Sequence, residues 1–263
     1  MSRPLFYVPS GGLDGVEPGG LVTVEGPEGR HAVAVRRLAL GEGVDLSDGA
    51  GTRAVGTVAA AEGSRLDVEI ERIVHEAPPP FRLVLVQALA KGDRDELAAE
   101  TATELGVDAV VPWQAERSIV RWKGERAAKA LAKWRSVVFA AAKQARRARV
   151  PEVEDVVDSP RLASRIAEAR LAVVLHEEAT EGVSALLDGL AGSSPDEAVG
   201  EVLFIVGPEG GISPAELERF TTAGARLALL GPHVLRSSTA GPAALALASD
   251  RLGRWGSRDG RGD

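Results

Sequence analysis

A chain of 263 residues with 44% hydrophobic and 26% charged residues is long enough for two packed domains and ordinary in composition for a globular protein. It has no cysteine, which excludes disulfides and thiolate metal sites, and its four histidines (His31, His75, His176, His233) stand far apart in no metal-ligand spacing. A net charge of −7 argues on average against a nucleic-acid partner, and the sequence has neither a signal-peptide core nor a membrane-length apolar run, so a cytoplasmic protein is expected.

Residues 1–76 read as β-rich. Leu21–Val24, Gly43–Leu46, Arg53–Val58 and Arg65–Ile70 alternate or are β-branched, and the turn signals Asp48-Gly49-Ala50-Gly51 and Glu62-Gly63-Ser64 separate them. Short strands at this spacing predict a small barrel, interrupted by one helix from Glu28 to Leu38. Ala77-Pro78-Pro79-Pro80 can continue neither strand nor helix, which sets a domain boundary: 1–76 and 77–263.

From Phe81 strands and helices alternate. Leu83–Val86, Ala109–Val111, Leu171–Leu175, Val202–Val206 and Arg226–Leu230 read as strands. Asp93–Leu105, Gly124–Arg149 and Gly241–Arg254 read as helices, the second as one or two. Such alternation predicts an α/β domain with a mainly parallel sheet and helices on both faces. Residues 256–263 read as a disordered tail.

The charge is unevenly spread. Between Ala115 and Val150 eleven basic residues face only Glu116 and Glu125, a local charge of +9. A basic stripe on an acidic protein can hold polyphosphate, although most charge runs are solvated helix faces. Trp122 and Trp134, inside the window, are expected to pack rather than to stack on bases.

Phe204–Phe220, FIVGPEGGISPAELERF, joins a buried strand to a glycine loop and a helix. Ser213-Pro214-Ala215-Glu216 fits a capping box with proline at the first helical position. Gly207, Gly210 and Gly211 can take positive φ and let a ligand lie against the main chain, or else form a tight turn with no ligand. No G-x-G-x-x-G follows an early strand, and neither a P-loop nor a G-x-S-x-G elbow occurs. In open α/β sheets ligands bind beyond the carboxyl ends of the strands. Three such ends carry distinctive loops: Leu175–Glu178, Gly207–Gly211 and Leu230–Ala240.

Gly207-Pro208-Glu209-Gly210-Gly211, followed by Leu230-Gly231-Pro232-His233-Val234-Leu235-Arg236-Ser237-Ser238-Thr239-Ala240, resembles the RsmE family of bacterial ribosomal RNA methyltransferases. The likeness extends to Leu5–Val8, Glu28–His31, Arg36–Leu38, Lys91–Arg94, Thr103–Val107, Glu116–Ser118 and Gln144–Arg146. The chain departs from the family pattern at His233, where arginine is frequent, and at Ser238, where glutamate is.

The resemblance implies a PUA-like N-terminal domain and a SPOUT domain with a C-terminal trefoil knot. It implies transfer of a methyl group from S-adenosylmethionine to N3 of a uridine in small-subunit (16S) ribosomal RNA, by a homodimer without metal. Cofactor contacts then fall to Leu175, Gly207, Pro208, Gly210, Gly211, Leu230, Gly231, Leu235, Arg236 and Ser237, the leucines as apolar walls. Arg236 is the candidate catalytic residue, donating to a uracil oxygen, with a bridging or phosphate-holding role as its rival. His233 and Glu209 are weaker candidates for the proton acceptor. Arg3, Arg36, Arg37, Arg117, Arg121, Lys123, Arg146 and Arg147 are the candidates for RNA phosphate contact. Ribose 2′-O methylation and a non-catalytic RNA-binding or assembly role are the alternative functions.

Overall fold

The computed structural model describes residues 3–192 and 200–255. Two units divide the chain: Met1–Pro78 with Ala142–Val150, and Pro79–Ala141 with Pro151–Asp263. Residues 142–150 return to the first unit, which a single boundary at the prolines does not express. Backbone polarity holds them there. The Tyr7 hydroxyl donates to the Arg147 carbonyl at 2.7 Å, and Ser47 Oγ donates to the Ala148 carbonyl at 3.0 Å. Burial pushes the Tyr7 phenol up to about 12, so it stays a donor at all ordinary pH.

The first unit is a five-stranded curled sheet in the order β1-β3-β4-β5-β2, made by β1 (Leu5–Tyr7), β2 (Leu21–Val24), β3 (Gly43–Ser47), β4 (Thr52–Glu62) and β5 (Arg65–His75). The β4–β5 hairpin closes through Gly63-Ser64, with Gly63 at φ 59°, a two-residue turn of the kind that suits twisted strands. Register shifts at Val55/Gly56 and Val58/Ala60 bend β4. Phe6, Val24, Leu46, Leu66 and Ile70 fill the core. The helix expected over 28–38 is instead α1 (Gly26–Arg30) running into a π-helical turn, His31–Val35, and Arg37 at φ 55° ends it.

The second unit carries a six-stranded sheet in the order β11-β9-β10-β6-β7-β8, every pairing parallel. Its strands are β6 (Phe81–Ala88), β7 (Ala109–Trp113), β8 (Glu152–Val153), β9 (Leu171–Leu175), β10 (Gly200–Val206) and β11 (Arg226–Ala228). The helices are α2 (Arg94–Glu104), α3 (Glu125–Gln144, its last three residues counted with the first unit), α4 (Ser159–Glu168), α5 (Val183–Ala191), α6 (Pro214–Thr222) and α7 (Ser237–Arg251). Val84, Val86, Val111 and Trp113 face a core with Leu162 and Ile166 of α4 and Phe220 of α6. The opposite face is covered by α2 and α7. No helix among the described residues is long and apolar enough to cross a membrane.

Boundaries shift where the chain's local geometry intervenes. The long helix expected to Arg149 stops at Gln144, because Arg146 turns left-handed at φ 55°. The last helix starts at Ser237, a turn before the expected Gly241, and keeps Pro242 inside it. The short strands β1 and β8 and the helices α4 and α5 were not expected. Trp122 packs edge-on against Trp134 at 5.5 Å between centroids, as expected of the pair. The expected disordered tail, 256–263, lies outside the described residues.

Candidate functional site

The chain order of the parallel sheet creates the site. From β6 the chain steps outward to β7 and β8, then crosses to β9 on the other side and inserts β10 between β9 and β6. Strand order therefore reverses next to β6, which is where open α/β sheets open a crevice at their carboxyl edge. The strands β11, β9 and β10 lie side by side, so the loops after Leu175, Val206 and Ala228 leave one edge together.

Main-chain hydrogen bonds join two of these loops. His176 N donates to Ala228 O at 3.1 Å, Leu229 N to Glu181 O at 2.8 Å, and Val183 N to Leu229 O at 3.0 Å. The third, the glycine loop, is held from the other side by two arginines. Arg94 pairs with Glu209 at 3.1 Å, and Arg117 Nη1 donates to Gly210 O at 3.2 Å. Glu209, a weak candidate for proton acceptor in the sequence, is thus engaged in an ion pair. Next to Arg94, the buried Asp95 carboxylate accepts from Ala90 N at 3.2 Å and Glu96 N at 2.9 Å. Burial pushes the Asp95 carboxyl above the ordinary range, and those backbone donors oppose the shift.

The glycines do different jobs. Only Gly211 (φ 72°) and Gly231 (φ 128°) of the loop glycines are left-handed. Gly207 is needed for space, since a Cβ there would stand 2.7 Å from Ile212 Cγ1. Of the three glycines able to take positive φ, the loop uses Gly211 to turn, where Gly211 N donates to Pro208 O at 2.9 Å.

Helix α6 begins with the expected capping box, both bonds at 3.2 Å. Glu216 does more than cap. Buried, it also accepts from Glu116 N at 2.8 Å and from Ser159 Oγ at 2.5 Å, so one carboxylate joins the loop after β7 to the starts of α4 and α6. A cleft of about 360 Å³ lies beside it, lined by Gln114, Arg121, Asp158, Ser159, Glu216 and Arg219. It contains none of the candidate cofactor residues.

Of those residues, Pro208 is buried, and Leu175, Gly207, Leu230 and Ser237 are half-buried. Gly210, Gly211, Gly231, Leu235 and Arg236 are exposed. Arg236 is the N-cap of α7, where its carbonyl accepts from Thr239 N at 2.8 Å and Ala240 N at 3.0 Å while its side chain makes no cap bond. The Oγ of Ser237 is buried with no partner among the described residues. A backbone-lined crevice with two apolar walls and an orphaned hydroxyl fits a small polar cofactor with an apolar ring.

The basic candidates divide between the units. Arg3, Arg36, Arg37, Arg146 and Arg147 belong to the first, and Arg117, Arg121 and Lys123 to the second. Arg36, Arg37, Arg117, Arg121 and Lys123 are exposed. Arg3 is tied to Glu71 at 3.1 Å, and Arg121 Nη2 donates to the Glu116 carbonyl at 2.6 Å. The +9 window is also less free than its sequence: Lys133 pairs with Glu96, Arg135 with Asp155 and Lys143 with Glu28.

Fold and site together define an α/β protein with a candidate ligand site at the carboxyl edge of a parallel sheet, and comparison with known proteins gives its class. Residues 77–249 match the RNA methyltransferase domain family, and residues 24–71 match the RNA methyltransferase PUA domain. A Mycobacterium bovis relative named ribosomal RNA small subunit methyltransferase E is 44% identical over 97% of this chain and 94% of its own length. The Bacillus subtilis protein of that name is 30% identical over 86% of this chain and 88% of its own. The crystal structure of the Neisseria gonorrhoeae methyltransferase E bound to S-adenosyl methionine superposes with a TM-score of 0.78 at 28% identity, covering 95% of this chain and 98% of that one. The chain belongs to the ribosomal RNA small subunit methyltransferase E family.

Proposed function

We propose that this enzyme methylates N3 of a uridine in small-subunit ribosomal RNA with S-adenosylmethionine as donor. The observation that carries the reading is the meeting of three loops from the adjacent strands β11, β9 and β10 at one sheet edge, in a chain of this family. Bound in that crevice, the cofactor supplies an electrophilic methyl group on a sulfonium.

Gly207, Pro208, Gly210 and Gly211 present main-chain groups from the loop after β10, and Gly231, Leu235 and Arg236 from the loop before α7, with Ser237 at the helix start. Leu175 and Leu230 supply apolar walls. The segment after β11 is read as threading a trefoil knot. Arg236, exposed and without a side-chain cap bond, donates to a uracil carbonyl oxygen and stabilises the negative charge that builds on the ring as the N3 proton passes to solvent water. Much of the remaining rate comes from positioning. Arg36, Arg37, Arg117, Arg121, Lys123, Arg3, Arg146 and Arg147 are assigned to phosphate contact, which orients the RNA without reading its sequence. The enzyme is taken to act as a homodimer in the cytoplasm.

Mass spectrometry of ribosomal RNA from a deletion strain, before and after the purified protein is added with cofactor, tests the reading. The expected product is one base-methylated uridine restored in the small-subunit RNA. A methyl group on ribose, or none restored, overturns it. Arg236→Ala is expected to bind S-adenosylhomocysteine as the parent does and to lose about 100-fold in kcat. Methylation at the parental rate removes Arg236 from the chemistry.

A further inference from the structure

Gln87 interrupts an otherwise apolar strand, FRLVLVQA. It stands in register with Val206 of β10 and Pro112 of β7, at the edge where strand order reverses. Alternation along β6 turns it to the same face as Leu83 and Leu85. Helix α7 covers that face, with Gly241 seated against Leu85 and Val206. Gln87 is fully buried, its Nε2 donates to Ala88 O at 3.3 Å, and its Oε1 has no partner among the described residues.

Two other buried oxygens share that condition close by. Ser237 Oγ lies one helical turn before Gly241, and Ser118 Oγ lies next to Arg117, the residue that holds Gly210. Among the described residues five buried side-chain atoms lack partners, and these three flank the glycine loop, so the deficit is concentrated there. Buried polar groups are nearly always paired, and a cluster that is not marks a place where a bound water or a ligand completes the bonding.

The chemistry of the atoms narrows the ligand. A serine hydroxyl donates or accepts, whereas an amide oxygen only accepts. Gln87 Oε1 therefore calls for an N–H or O–H. Uracil has a single such group, N3–H, which is the atom to be methylated and would be shielded by the pairing. S-adenosylmethionine carries an ammonium, two ribose hydroxyls and an adenine amine. We infer that Gln87 is a cofactor-binding residue whose Oε1 accepts a hydrogen bond from a donor of bound S-adenosylmethionine, with Ser118 and Ser237 on the same polar wall. This rests on the reading of the crevice as the cofactor site.

Calorimetric titration with S-adenosylhomocysteine and with 5′-methylthioadenosine, which lacks the amino-acid half, tests it without turnover. Gln87→Met keeps the size and removes the acceptor. Its affinity for S-adenosylhomocysteine is expected to fall about tenfold or more, while its thermal midpoint holds or rises, because an unpaired acceptor has become apolar. An equal loss for methylthioadenosine puts the donor on adenine or ribose, and a loss confined to S-adenosylhomocysteine puts it on the amino acid. Gln87→Glu retains an accepting oxygen and, when protonated, a donor to Ala88 O. Its affinity is expected to approach the parent's as pH falls. Affinity within twofold of the parent in Gln87→Met, or a midpoint that falls together with affinity in both variants, overturns the assignment. A parent protein that binds neither ligand strikes the cofactor reading itself.

Discussion

Glu216 shows how a local signal can understate a residue. The sequence reads it as half of a capping box, and that half is correct, yet the same carboxylate also takes the Glu116 N–H and the Ser159 hydroxyl from segments about a hundred and about sixty residues earlier in the chain. Ser213→Ala removes one helix cap, a loss of about 1 kcal/mol. Glu216→Ala strands three donors, one of them buried and two part-buried, and is expected to cost about 3 kcal/mol. Urea denaturation of both variants measures the gap, and equal midpoints would refute the wider role.

His31 gives a pH signature at the same scale. Burial, then the Lys143 ammonium 2.8 Å from Nδ1, hold its pKa below the ordinary histidine value. Its neutral ring accepts from lysine, with the remaining proton on Nε2. A histidine that resists protonation in the fold takes its proton more readily once unfolded, so its contribution is present above the unfolded value near about 6.5 and is lost as pH falls below it. Between about pH 7.5 and about pH 5.5 the thermal midpoint of the parent is expected to drop more than that of His31→Gln, which does not titrate. Parallel curves would show that the ring is not coupled to folding.

At the level of elements, the sequence exposed what has a long period and hid what does not. Apolar runs such as VLFIV announce central parallel strands because both faces are covered, and β10 indeed carries five buried residues in succession. Strands of three and two residues, β1 and β8, are too short to show any alternation. The start of α4 did carry a signal, Asp158 accepting from Arg161 N ahead of a first-turn proline, but the strand before it, β8, is too short to be legible and so did not frame it. Positions of close approach were legible only as glycines without a reason. Gly241 has one: a Cβ would stand 2.5 Å from Leu85 Cδ1 and 3.3 Å from Val206 Cγ2, both buried side chains. Alanine favours a helix over glycine by about 1 kcal/mol, and overpacking a full core costs about 1–3 kcal/mol. Gly241→Ala is therefore expected to lose stability. Gly189, exposed in α5 with open space where its Cβ would go, lacks the penalty, and Gly189→Ala is expected to gain about 0.5–1 kcal/mol. Thermal midpoints in the order Gly189→Ala, parent, Gly241→Ala check both, and a stabilised Gly241→Ala would mean that α7 is not seated on the sheet as tightly as its backbone indicates.

Across the whole molecule the instructive quantity is charge. The sequence counted the basic residues of the 115–150 window but could not see their counter-charges, because Glu28, Glu96 and Asp155 lie far along the chain from the lysines and arginine they meet. In the same way it marked the glycine loop and missed Arg94 as its anchor, an ion pair spanning more than a hundred residues. Two basic positions separate a charge that binds from a charge that folds. Lys143 is the second kind: its ammonium lies 2.6 Å from the Glu28 carboxylate and 4.9 Å above the Phe6 ring, with 17% of the side chain exposed. Lys143→Met leaves Glu28 half-buried beside the Tyr7 N–H without its cation, and after allowance for solvent screening it is expected to cost about 2 kcal/mol. Arg36 and Arg37 are the first kind, exposed and in no ion pair among the described residues. If they meet phosphates, replacing both with serine lowers the slope of log affinity for ribosomal RNA against log salt by about 1.5, since each contact contributes about 0.7–0.9. That double variant is expected to keep the parental thermal midpoint and its affinity for S-adenosylhomocysteine. Filter binding of small-subunit RNA across a salt series, run beside thermal unfolding, reads both effects at once. A salt slope changed by Lys143→Met and not by the arginine pair would reverse the two assignments and move the RNA to a different face of the first unit.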